Sequence, residues 1–430
     1  MRSFVRFALP VVLISALVAS AGSATAAGTP DVHSPNMKHI GFAGNPGTTN
    51  SDLAFWGHLL YEGSYTGFRI LDISDPRSPR VLSSVKCNGG QGDVSVWKNL
   101  LFVSMDQDQT KPTCPSDKTP GGVLGFEGIR VYDVSDPTHP SFVTAVPTDC
   151  GSHTNTLNPD SAHGVVYLYV ESYPLRGQGQ DCNSHNYDSV VKVPLGNPKK
   201  ASVSTFDTSP SEGCHDVTVF QPLHIAAAAC ISEGQIWDIS DPGHPKVIQH
   251  LYNPQLSVWH SAAFSWDGKT VAFGDENQSY QACQGQDSPT GNIWFYRVHG
   301  KTADSQPAGR FTIPRVISGD PQTECTAHNF DVVPVQGRNI LVSAFYSGGA
   351  TVVVFTDPAK PKEIAYYQIR GNVPADEWST YWYNGHIYAN DINRGIDVFS
   401  LSSPLVAGAK TFPYLNPQTE LIAEQRAVLH

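Results

Sequence analysis

One stretch constrains this chain more than any other. Gly67–Pro79 reads G-F-R-I-L-D-I-S-D-P-R-S-P. Phe68, Ile70 and Ile73 belong to an apolar run rich in β-branched residues, the composition of a strand. Ser74-Asp75-Pro76 then ends it, because Pro76 has a fixed φ and no N–H to extend a ladder. The stretch returns. Gly128–Pro140 reads G-I-R-V-Y-D-V-S-D-P-T-H-P and Gly234–Pro245 reads G-Q-I-W-D-I-S-D-P-G-H-P. Weaker copies lie at Gly349–Pro361, Ser189–Pro198 and Gly395–Pro404, with a degraded one at Gly291–Gly300. About seven copies at a period near 55 residues make a repeat architecture.

Each repeat can be read backwards from its Asp-Pro turn. Ahead of the turn is the strand just described, and ahead of that a loop. Before the loop stand two short strands joined by a tight turn. In the first repeat these are Asp52–Trp56 and Leu59–Tyr61, and in the second Asp93–Trp97 and Leu100–Met105. The fifth has Ser261–Trp266 and Thr270–Gly274, the sixth Asn329–Val335 and Ile340–Phe345, the seventh Ser379–Tyr383 and His386–Asn390. Asp267-Gly268 and Asn384-Gly385 between apolar runs are hairpin signals. After the turn comes an outer strand, such as Arg80–Val85, Ser141–Val146 or Lys246–Leu251.

Four antiparallel strands repeated seven times predict an all-β chain, a seven-bladed β-propeller. Packing blades face to face buries both faces of each. Asn36–Gly44 is predicted to be the outer strand of the last blade, so that an N-terminal strand closes the ring. Residues 27–404 form the propeller on this reading. Residues 405–430 are a tail packed on it, outside the blades or partly supplying that last strand.

The I-L-D-I-S-D-P and V-Y-D-V-S-D-P segments resemble the LVIVD-repeat family. The resemblance implies a β-propeller exported by bacteria, and it supplies no catalytic residue. The repeated Asp72, Asp133 and Asp238 read as acceptors that stabilise turns.

Residues 1–26 read as a secretory signal: Arg2 and Arg6, an apolar Phe7–Ala19, then Ala24-Thr25-Ala26. No later stretch reads as a membrane span, so the expectation is a secreted, extracytoplasmic monomer. The formal net charge of −11 argues against nucleic acid as partner. Eight cysteines in an exported chain without any C-x-x-C imply disulfides rather than thiolate metal sites. The predicted pairs are Cys87–Cys114, Cys150–Cys182, Cys214–Cys230 and Cys283–Cys325. Cys87, Cys150, Cys214 and Cys325 precede first strands. Their partners follow second strands or lie near the end of one, on the same face.

A second periodicity carries the chemistry. Just before the first strand stand His153, His215, His260 and His328 in the third to sixth repeats. Ser51, Gly92 and Trp378 hold that place in the others. First strands line a propeller channel, so these imidazoles are predicted to form an arc at one mouth. Second strands end at the same face, with Asp106, Glu171, Glu233, Asp275, Glu276 and Asp391. The loops Gln107–Gly122, Ser172–Asp188 and Asn277–Thr290 rise from it too. Such an arc suits a divalent transition metal, zinc or copper, with the carboxylates as outer acceptors or ligands. The plainer reading is a polar wall around a water-filled channel. His139 and His244, in Asp-Pro turns, are expected at the surface, and Trp56, Trp97, Trp237 and Trp266 in the core.

Two functions follow. The first is a non-enzymatic binding or scaffold protein whose loop-rich face takes a protein, peptide or glycan at the cell surface. The alternative is a metal-dependent extracytoplasmic enzyme, an oxidoreductase or hydrolase, with its site at the channel mouth. No nucleophile elbow, phosphate loop or H-E-x-x-H motif is present, and catalytic residues are left unassigned.

Overall fold

In the computed structural model, residues 30–121, 123–173, 185–277, 284–317 and 324–420 are described. The predicted signal, with Cys182 and Cys283, lies outside them. The described chain is all-β, with only short 3-10 turns beside the strands. No helix among the described residues is long and apolar enough to cross a membrane.

Each repeat folds into an antiparallel sheet built from its own consecutive strands. In the first these are Asn50–Trp56, Leu59–Ser64, Gly67–Asp72 and Arg80–Lys86. Tight turns fix the register: Asn384 and Gly385 both take positive φ, 48° and 94°, as a two-residue hairpin turn requires. The third strand ends where the sequence says it should. Asp72, Asp133 and Asp238 each accept the backbone N–H two residues on, at 2.9–3.0 Å. Hydrogen bonds hold each carboxyl below its usual range, led by the Ser74 hydroxyl at Asp72, the Ser135 N–H at Asp133 and the Lys301 ammonium at Asp238.

The sixth and seventh repeats merge into one nine-stranded sheet, because Asn329–Val332 pairs in parallel with Glu377–Tyr383. The N-terminal Met37–Gly44 pairs antiparallel with Gly395–Leu401, the third strand of the last repeat. Val32–His33 pairs with Lys362–Gln368 of the repeat before it.

The core is divided. Seven apolar layers lie among the described residues, each between two successive repeats. In one, Leu53 and Phe55 of the first repeat meet Tyr381 and Tyr383 of the last. The first strands also succeed one another: Asn50–Trp56, Val94–Trp97, Thr154–Asp160, Asp216–Phe220, Trp259–Phe264, Asn329–Val332 and Glu377–Tyr383 each pack beside the next. The last packs beside the first.

Residues 410–420 run along the first strands rather than outside the sheets. Lys410 N–H donates to Pro334 O, and Gly57 N–H to Pro413 O. The Asn384 amide bonds both backbone groups of Phe412. Asn416 bonds both backbone groups of Val96. Thr419 donates to Leu157 O, Thr419–Glu420 pairs with Val219–Phe220, and Glu420 accepts the Phe264 N–H. Every repeat is touched by this one segment.

Cys87–Cys114 and Cys214–Cys230 lie within disulfide distance, with Cα separations of 5.2 and 3.6 Å. The second is shorter than the range expected for such pairs. Cys150 and Cys325 are disulfide-bonded as well. Their expected partners lie outside the described residues.

Candidate functional site

The four predicted histidines come together. His153, His215 and His328 each precede a first strand. His260 lies inside one, at a register shift between Trp259 and Ser261. Trp378 sits at the same kind of shift, between Glu377 and Ser379. Such bulges re-aim a side chain at the end of a ladder. Successive ring centroids are 4.5, 3.7 and 4.2 Å apart from His153 to His328. The four residues are 7, 5, 0 and 1 % exposed.

The outer two rings are tied. Asp106 Oδ2 stands 2.8 Å from His153 Nδ1, and the Trp378 carbonyl accepts from His328 Nδ1. Each therefore keeps its proton on Nδ1 and turns a bare Nε2 inward. His215 Nε2 faces His153 Nε2 at 3.0 Å. Both ring nitrogens of His260 are buried without a hydrogen-bond partner among the described residues.

Glu276 closes the group. Its Oε2 is 3.7 Å from His260 Nε2, and its Oε1 is 4.0 Å from His328 Nε2. His215, His260 and Glu276 each offer one ligand atom, all within 4.8 Å of one another. Burial, and then the neighbouring imidazoles, hold His215 and His260 well below the usual histidine range. Burial takes His328 down to about 3, against the bond to Trp378. These rings are neutral at pH 7, the state in which imidazole binds a metal.

Of the predicted carboxylates, only Asp106 and Glu276 reach the imidazoles. Asp275 accepts the backbone N–H groups of Ser257, Val258 and Gly291. Asp391 accepts those of Asp376, Asn393 and Arg394. Glu233 bonds Gln235 and His250, and Glu171 bonds Thr154. The correction has a simple cause. Side chains alternate along a strand, so Asp275 and Glu276 point opposite ways and one residue decides which meets the arc.

Three phenols lie at this end of the second strands, Tyr173 and Tyr346 against the imidazoles and Tyr65 against Trp378, and the sequence reading missed them. Tyr346 donates to Glu276 Oε1 at 2.7 Å. It does so from a left-handed backbone, φ 43°, unusual for a bulky residue. Tyr173 Oη is 3.5 Å from His153 Nε2. Tyr65 bonds Gln91, whose own N–H is accepted by Asp106. All three follow a second strand within two residues. The periodicity that exposed the carboxylates would have exposed them too. His139 and His244 are exposed, each on the aspartate of its own turn.

The LVIVD repeat family model matches residues 50–87 and 126–148, so the chain carries LVIVD repeats at these two stretches. A functionally unknown protein from Desulfotomaculum acetoxidans is similar over 74 % of this chain and 84 % of its own, at 13 % identity and a TM-score of 0.49. The computationally designed Ika8 protein is similar over 85 % of this chain and 100 % of its own, at 12 % identity and a TM-score of 0.45. No curated protein matches.

Proposed function

We propose that this chain is an exported, closed seven-bladed β-propeller that holds a transition-metal ion, zinc or copper, at one mouth of its channel. The mouth and its loops present that centre to a protein, peptide or glycan ligand. Support for the ring is the succession of seven first strands, the last beside the first, with an apolar layer between each pair. Support for export is the disulfide set, which suits an oxidising compartment.

The observation that carries the metal is the buried, unpartnered His260 ring, clustered with His215 and Glu276. Basic nitrogens shut away from water without a donor are costly, and an ion removes that cost. Asp106 on His153 and the Trp378 carbonyl on His328 are the outer acceptors a metal-binding imidazole ordinarily has. The donors are nitrogen and oxygen with no thiolate, which suits zinc or copper. Ligands about 2.0–2.1 Å from one tetrahedral ion stand roughly 3.3 Å apart, so modest side-chain rotations assemble the set.

Elemental analysis of natively purified protein is the test. We expect about one zinc or copper per chain, lost in His215→Ala and His260→Ala. Less than about a tenth of an equivalent, or an unchanged content in both variants, would overturn the reading. The second reading, a metal-dependent oxidoreductase or hydrolase, is favoured by Tyr173, whose phenol oxygen lies 3.5 Å from His153 Nε2. It predicts turnover that disappears with the metal.

A further inference from the structure

One residue further along each first strand lies a second ring, distinct from the imidazoles. The residues after Ser51, Gly92, His153, His215, His260, His328 and Trp378 are Asp52, Asp93, Thr154, Asp216, Ser261, Asn329 and Ser379. Every one carries oxygen. Three of the seven are spent between neighbouring repeats: Thr154 donates to His215 O, Ser261 to His328 O, and Ser379 to Ser51 O. The other four are three carboxyls and an amide.

Those four are buried. Asp52, Asp93, Asp216 and Asn329 are 1, 2, 2 and 4 % exposed. The carboxyls of Asp52 and Asp93 are within hydrogen-bond reach of each other. Asp52 also takes Tyr381 Oη at 2.6 Å and Gln418 Nε2 at 3.0 Å. The Asn155 backbone and amide both donate to Asp93 Oδ2. Asn329 aims its amide at Asp52, 3.4 Å from Nδ2 to Oδ2, and its Oδ1 has no partner among the described residues. No lysine or arginine is bonded to any of the three carboxyls among the described residues. Several carboxylates cannot stay ionised in such a place without a counter-charge.

We infer that Asp52, Asp93 and the Asn329 carbonyl oxygen, backed by Asp216, form a channel site for a hard cation, calcium by preference. Carboxylate and amide oxygens are the ligands such an ion takes, at about 2.3–2.6 Å. Two oxygens on one calcium stand some 3–3.5 Å apart, about the present separation of Asn329 from Asp52. Rotation of the Asn329 amide by half a turn presents its unpartnered oxygen to the ion. The rival is a proton shared between Asp52 and Asp93, which neutralises one charge and leaves the Asn329 oxygen unsatisfied.

Thermal melting of the full chain at neutral pH decides between them. Calcium at millimolar concentration should raise the midpoint by about 3 °C or more, and a chelator should reverse it. His215→Ala should keep this response, which separates it from the imidazole centre. The Asp52→Asn/Asp93→Asn variant should ignore calcium and, metal-free, melt at or above the metal-free wild type. Asn329→Ala, which keeps every carboxyl, should weaken calcium binding about tenfold by calorimetry. A wild type indifferent to calcium and chelator overturns the inference in favour of the shared proton. So does a calcium response that survives in the double variant.

Discussion

A single hydroxyl does specific work at the mouth. The Tyr346 phenol binds one oxygen of Glu276 and leaves the other facing His260. Tyr346→Phe should lower metal affinity roughly 10–100-fold, read by competition with a chromophoric chelator, while the melting temperature stays close to wild type. Asp188 tests burial alone. Burial pushes its carboxyl up to about 8, against one N–H from Cys214. Its folded value exceeds the unfolded one, so its stabilising share is whole below about pH 4 and is lost as pH rises toward 8. Asp188→Asn has nothing to ionise. Relative to wild type it should gain on the order of a few kcal/mol between pH 4 and pH 8, measured as the shift in urea midpoint. The histidines were legible because four of them recur at one place in the repeat. The phenols were not, because a tyrosine one or two residues past a second strand reads equally well as core packing. Asp188 offered no signal, since burial is not written in a residue's type.

The strands were legible for a different reason. Their ends are marked by residues whose backbone chemistry stops a ladder, and Lys246–Leu251 falls on the predicted residues without a shift. Boundaries slipped where a strand bends. Leu100–Gln109 runs past its predicted end, and the ladder loses register after Met105. His260 was placed before its strand because a bulge has no sequence mark of its own. Two elements invite removal. Deleting residues 30–45 uncovers the edge of Gly395–Leu401 and of Lys362–Gln368 together. The melting midpoint should fall by roughly 10 °C or more; an unchanged midpoint would deny this strand any part in holding the ends. Replacing Cys87 and Cys114 by serine frees a loop of 27 residues. The cost should be about 2–4 kcal/mol in urea unfolding.

At the scale of the molecule, the repeat period told where each sheet begins, and it could not tell what crosses them. Residues 410–420 lack the repeat pattern, so their sequence leaves open whether they lie outside the blades or partly supply the last strand. Their actual course depends on backbone groups at the inner edges of first strands, which no side chain announces. Truncation after Ala409 should therefore cost more than an ordinary tail. It strips partners from Val96, Leu157, Phe264 and Gly57 at once, and a marked drop in urea midpoint should follow. The same segment also sets a timetable. The ribosome makes residues 410–420 after every sheet they touch, and the strand at Met37–Gly44 waits for a partner, Gly395–Leu401, that is nearly as late. Early sheets can form one by one, but the assembly stays unlatched until residues 410–420 have emerged. If the chain is exported as proposed, a latch that closes last keeps it open for passage through a narrow pore.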